Sequence, residues 1–235
     1  MTALTVHGIR LPITPADVSP EIWSALSNGT YEAKEARWVF KCVRPHDRVL
    51  ELGTGLGVVA SLIAGIEGVH VWAFEASPSS VRLARRVIEA NNLDNITLSQ
   101  GILAAGPPRE FVFYLRRDLW MSSLIEHQGP YDETLTIASA NIDHFVAQQQ
   151  IDVIVMDIEG AERDLLVHAE LPGVNRIFLE LHDHLYGLAG VRDITRALAA
   201  KGFGYDPRGS SGPCVLFSRS NESREYEPEA VDAYA

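Results

Sequence analysis

Apolar positions give the first outline of this chain. From Arg48 onward, short apolar runs alternate with stretches whose apolar residues recur every three to four positions. The first pattern reads as buried strands and the second as amphipathic helices. Val49-Leu50-Glu51-Leu52 is a short strand running into Gly53-Thr54-Gly55-Leu56-Gly57, and the apolar stretch 58–66 is the helix that follows. Residues 69–74 form a second strand that ends at Glu75. Ser77-Pro78 then opens a helix, with serine as cap and proline at the first helical position. Its Val81, Ala84, Val87 and Ile88 share one face, while Arg82, Arg85, Arg86 and Glu89 point away. Further strands are expected at 95–100, 151–157 and 177–181, followed by a helix over 193–201 that ends at Gly202. Phe203 and residues 215–217 flank a Gly/Pro/Ser-rich turn, which predicts an antiparallel hairpin.

Strands alternating with helices imply an α/β fold: a doubly wound, Rossmann-like, mostly parallel sheet with helices on both faces and a C-terminal antiparallel hairpin. Ahead of it, residues 1–45 read as a helical segment. One helix starts at Pro20 and stops near Asn28-Gly29; Thr30 is expected to cap a second that carries Trp38, Val39 and Phe40 towards the core. The main domain is placed at 46–218, with an insertion at about 103–150 in which 111–115 and 134–137 are candidate extra strands. An insertion over the carboxyl edge of the sheet is where substrate selection would sit. The acidic, apolar-poor tail 219–235 is expected to be disordered.

Composition narrows the function classes. With 46 % apolar and 22 % charged residues, the 235-residue chain is an ordinary globular protein with enough length for a sizeable core. A net charge of −11 argues against nonspecific nucleic-acid binding, which needs a basic face, and against docking on anionic membranes. Cys42 and Cys214 are far apart and build no disulfide framework. No apolar run approaches the roughly 20 residues of a spanning helix, and MTALTVHGIRLP is not a leader, so the expected compartment is the cytoplasm.

The glycine turn carries the chemistry. A dinucleotide fingerprint needs G-x-G-x-x-G, and the third glycine position is occupied by Val58. The G-x-G-x-G spacing found instead, preceded by Glu51, is the one used with S-adenosylmethionine. That cofactor carries an ammonium and a sulfonium but no phosphate, so an acid beside the turn is favourable rather than repulsive. Glu75, ending the second strand, can accept hydrogen bonds from ribose hydroxyls, and Ala76 can pack on adenine. This spacing disfavours an NAD-type oxidoreductase. A non-catalytic S-adenosylmethionine- or S-adenosylhomocysteine-binding scaffold stays as the alternative.

Strand 151–157 ends in Asp157-Ile158-Glu159-Gly160-Ala161-Glu162, and strand 177–181 in Leu179-Glu180-Leu181-His182. With the glycine turn, Phe74-Glu75-Ala76-Ser77-Pro78, Tyr31-Glu32 and Ser122-Ser123-Leu124, these stretches resemble the FkbM family of methyltransferases. The resemblance implies a class I methyltransferase acting on a hydroxyl of a small molecule, sugar or lipid, with nitrogen as the less favoured target. It also implies that Glu32 helps close over the methionine end of the cofactor. One departure is Ile142-Asp143-His144, where many relatives show Leu-Asp-Asp.

The expected cofactor-binding set is Glu32, Glu51, Gly53, Thr54, Gly55, Glu75, Ala76, Gly101 and Asp157. The expected catalytic set is His182, Asp157 and Glu159, with His182 favoured as base because imidazole titrates nearest neutrality. Glu162 is expected as a first-turn acid of the next helix. Glu180, Asp183 and His184 join these as oxygen and nitrogen ligands. No metal is assigned, because residues 182 and 184 of one strand end would face opposite ways. The acceptor's identity and the oligomeric state have no signature in the sequence.

Overall fold

The computed structural model describes residues 4–219. The main sheet has seven strands in the order β11-β12-β10-β9-β3-β4-β5. Its parallel part comprises β3 (Arg48–Leu52), β4 (His70–Glu75), β5 (Ile96–Gln100), β9 (Val153–Met156) and β10 (Arg176–Glu180). The hairpin of β11 (Phe203–Ser211) and β12 (Cys214–Arg219) adds to β10 antiparallel, as the sequence predicts. Ser218 and Arg219 belong to β12, and the rest of the expected tail lies outside the described residues.

Each parallel strand is apolar on both faces because helices cover both. Val49, Val71, Val153, Val155 and Phe178 point to one face, under α2 (Ala33–Cys42) and α3 (Val58–Ala64). Leu50, Leu52, Ile154, Met156, Ile177 and Leu179 point to the other, under α5 (Ile142–Gln149), α6 (Glu162–His168) and α7 (Asp183–Ala200). The helix α4 (Pro78–Ala90) is capped by Ser77, whose side chain accepts from Ser80 N–H as expected from Ser-Pro.

The N-terminal segment holds more than helices. A hairpin of β1 (Leu4–Val6) and β2 (Ile9–Leu11) turns through His7 and Gly8, both at positive φ. With α1 (Pro20–Ser27) it packs Val6, Leu11, Ile22 and Leu26 on Val58, Leu83 and Val87 of α3 and α4. Strands of three residues are too short for periodicity to reveal. Thr30 does not cap α2: its hydroxyl reaches back to Ala25 O, and Glu32 takes the cap position in the left-handed region, φ 49°. Val39 is buried and Trp38 half-buried, but Phe40 is exposed, because a helix cannot turn three consecutive residues inward.

The insertion is ordered. Both expected strands exist, as β7 (Glu110–Leu115) and β8 (Glu133–Asn141), and with β6 (Ile102–Ala104) they form a separate three-stranded sheet. Its last residues, 142–149, are α5, the crossover helix into β9. Asn141 caps it by accepting from His144 N–H, and Asp143 accepts from Glu170 and Leu171 N–H. Among the described residues no helix is long and apolar enough to cross a membrane.

Candidate active site

Strand register gathers the acids. Side chains alternate faces along a strand, and β3, β9 and β10 are neighbours paired Leu52–Met156–Leu179. Those three residues face α5–α7, so Glu51 and Glu180 face α2, with Asp157 next along β9. There Glu32 and Glu35, at the start of α2, join Glu51, Asp157 and Glu180 around a small cavity of about 20 Å³. Asp157 and Glu32 also line the main cleft, of about 120 Å³, which opens at the carboxyl ends of the strands. Between β3 and β9 the strand order reverses, the position where α/β sheets bind ligands.

The glycine turn is shaped by neighbours on every side. A Cβ on Gly53 would lie 1.7 Å from the carbonyl oxygen of Asp157, so β3 and β9 meet at van der Waals contact where the turn begins. Gly55, at φ 53°, lies under Tyr31 and Glu32. Glu75 pins the turn by accepting from Gly55 N–H at 2.9 Å and from Ser77 N–H at 2.8 Å. Gly53, Gly55, Glu75, Ala76 and Gly101 all line the cleft. Thr54 does not: it is buried, and its hydroxyl finds no partner within the protein. Glu51 lies on the smaller acidic cavity rather than the main cleft.

The Asp157–Glu162 stretch is a hairpin-tight loop closed by its own last residue. Fully buried Glu162 accepts from Ile158 N–H and Gly160 N–H, both at 3.0 Å. Glu159 is forced into the left-handed region, φ 52°, a conformation retained mainly where surrounding structure imposes it. Gly160 follows at φ 98°, with Leu185 and Ile125 where a side chain would go. The loop thereby turns the Asp157 and Glu159 carboxylates into the cleft.

His182 stands elsewhere than expected. β10 ends at Glu180 and α7 starts at Asp183, so His182 occupies the cap position of a helix rather than a strand end. It is 5 % exposed and absent from the cleft wall. Its Nδ1 lies 3.1 Å from Glu162 Oε1, and its Nε2 lies 3.4 Å from Asp157 Oδ1 and 3.7 Å from Glu159 Oε2. Burial opposes charge on the ring, but these three carboxylates outweigh it and hold its pKa up at about 9. A ring held protonated at neutral pH is less available as a base than a free imidazole. Helix opening at 183 also removes the reason given against a shared ligand set.

On the opposite wall the insertion supplies Gln128 and Arg116, which sequence reasoning missed. Gln128 Nε2 donates to Glu159 Oε2 at 2.8 Å, and Ser123 Oγ donates to Gln128 Oε1. Arg116, 6 % exposed, donates to the carbonyls of Tyr114, Met121, Ile125 and Glu126 and so locks the chain that carries them. Tyr31 stacks on Trp120 at the cleft, 6.1 Å between centroids. Phe111, Phe113, Leu119 and Leu124 complete a largely apolar wall.

The electrostatics are one-sided. Burial raises the Glu51 carboxyl to about 8, with Glu75 adding to it. Burial, then Glu51 and Glu35, push Glu32 well above its usual range; burial and then Glu159 do the same for Asp157. Buried oxygens of Glu32, Glu51 and Asp157 have no hydrogen-bond partner within the protein. Unpaired buried carboxylates beside a glycine turn suit a ligand that brings positive charge and N–H donors.

A family model described as a methyltransferase FkbM domain matches residues 53–205. Curated relatives match over shorter stretches. The ribosomal protein L11 methyltransferase of Chloroflexus aurantiacus is 37 % identical over 67 residues, 28 % of this chain and 20 % of that protein. The protein-L-isoaspartate O-methyltransferase of Protochlamydia amoebophila is 34 % identical over 59 residues, 25 % of this chain and 28 % of that protein. The chain thus spans under a third of either relative. Among solved structures, Trm5b from Pyrococcus abyssi has a TM-score of 0.50 at 16 % identity, covering 92 % of this chain and 55 % of that one. It shares the fold.

Proposed function

We propose, for a chain that belongs to the FkbM methyltransferase family and takes S-adenosylmethionine as its cofactor, that the methyl group is delivered to a hydroxyl oxygen of a small molecule, sugar or lipid. The bound cofactor supplies an electrophilic methyl group on a sulfonium. The residues present fit it. Glu75, Ala76 and Gly101 line the nucleoside side of the cleft, while Glu32 and Glu51 offer unpartnered oxygens to an ammonium.

The observation that carries the oxygen reading is Glu159. Its carboxylate is held in the cleft by Gln128, opposite an apolar wall, and burial raises its pKa. A carboxylate of raised basicity, positioned by one hydrogen bond, can accept a hydroxyl proton as the oxygen attacks. Burial and the alignment of the acceptor do the rest. His182 acts from behind, keeping Asp157 and Glu159 oriented.

Radiolabelled S-adenosylmethionine offered with a panel of polyols, sugars and lipid alcohols, and with their amine isosteres, tests the reading. Label should pass to an alcohol as an ether. Transfer to amines only would overturn the oxygen assignment, and binding of the cofactor with no transfer to either series would favour a scaffold.

A further inference from the structure

The small acidic cavity is lined by more carboxyl groups than one ammonium group can meet. Glu32, Glu35, Glu51, Asp157 and Glu180 line it, and no basic residue does. Lys34 lies 3.6 Å from Glu180, but its side chain is 63 % exposed. One ammonium brings a single positive charge to a site with five carboxyl groups.

At the edge of this cavity a ring nitrogen joins the acids. An oxygen of Asp157, an oxygen of Glu180 and a ring nitrogen of His182 lie within 4.8 Å of one another. Asp157 follows β9, Glu180 ends β10 and His182 caps α7, so three packed elements fix their backbones independently of any ligand. The imidazole is also pre-oriented. Its Nδ1 faces Glu162, fully buried and tied to two backbone N–H groups, while its Nε2 faces Asp157. Metal-binding histidines are held in this way, with a carboxylate behind the ring and the other nitrogen turned to the ion. A second feature points to a missing cation: Glu51, 3 % exposed, lines the same cavity with an oxygen that has no hydrogen-bond partner.

We infer that Asp157, Glu180 and His182 form a binding site for a divalent cation that prefers oxygen and imidazole ligands, with Mn²⁺ as the representative ion. Two carboxylates and a neutral imidazole balance a double positive charge. The proton that the carboxylates hold on His182 is the one the ion replaces. Three protein ligands leave positions of a six-coordinate ion open. Asp157 borders the main cleft, so an ion on its carboxylate would stand beside the acceptor's reacting oxygen and favour its deprotonated form. The inference does not depend on which acceptor is methylated.

Electron paramagnetic resonance of Mn²⁺ titrated into the chelator-treated protein, without cofactor, tests it directly. One ion per chain should bind and lose the hexaaqua signal. Asp157→Asn and Glu180→Gln should each weaken binding at least tenfold, while Glu89→Gln on the exposed face of α4 should leave it unchanged. Neither site variant should fail to fold, because each removes charge from a crowded anionic pocket; thermal melting without metal should show Glu180→Gln at least as stable as the parent. Calorimetry with S-adenosylhomocysteine should still show binding to Glu180→Gln, which separates loss of the ion site from failure of the cofactor reading. Mn²⁺ remaining free at millimolar protein and metal, or binding equally to both site variants and the parent, would overturn the inference.

Discussion

The two ends of the central sheet treat buried charge in opposite ways. At the amino end, Arg176 of β10 meets Asp47 through two hydrogen bonds of 2.7 and 3.0 Å and also donates to Cys42 O. Both partners are under a tenth exposed, and the charges cancel. At the carboxyl end, Glu32, Glu35, Glu51, Asp157 and Glu180 crowd one cavity with oxygens left unpaired. The first arrangement holds helix α2 and the loop before β3 onto the sheet. The second costs stability and is maintained for a ligand. A closed pair serves the fold; an open deficit serves binding.

Breaking the closed pair should produce the largest effect. Asp47→Ala strands Arg176 as a buried cation and should cost about 3–5 kcal/mol, read as a fall in Tm of roughly 10 °C. A change of only a degree or two would show that the amino end is not held by this pair. At the open end the losses should fall on function instead. Glu159→Gln should reduce turnover by at least about a hundredfold, as expected for a lost general base, with S-adenosylhomocysteine affinity nearly unchanged by calorimetry. Glu75→Gln replaces an acceptor-only carboxylate with an amide and should weaken S-adenosylhomocysteine by about ten- to a hundredfold. Unchanged affinity would remove Glu75 from the cofactor site.

The smallest effect has the opposite sign. Glu51 keeps its proton in the fold up to about pH 8, whereas in the unfolded chain it releases it near 4.5. Between those values the folded state binds more protons, so its contribution to stability falls as pH rises. Glu51→Gln should therefore raise Tm by a few degrees at pH 8 and change little at pH 5, while weakening the cofactor. Equal melting shifts at both pH values would show that Glu51 does not carry this charge.

The sequence exposed most of the open end because its groups sit at strand ends, where period-two register and a glycine turn leave local traces. Glu51, Glu75, Asp157 and Glu159 were readable for that reason. Gln128 and Arg116 were not. They reach the site across an irregular insertion through side-chain bonds that carry no periodicity. His182 is legible as a residue of the site, but its environment is not, since that depends on Glu162, which comes near only through the fold. The β1–β2 hairpin escaped for want of length, and the position of Thr30 misled because an ordinary capping residue closes the preceding helix instead.

The contact between Gly53 and the Asp157 carbonyl has a consequence for protein engineering. The glycine turn of β3 and the acidic loop after β9 abut at one shared surface, with no room for even a methyl group. Neither is a portable cassette. A turn exchanged from another cofactor-binding protein would have to bring its own partner loop, and a redesigned acceptor loop would have to preserve the path of the backbone at Asp157. Recombination that respects this seam should cut before β3 or after β10, and keep everything between as one inheritance.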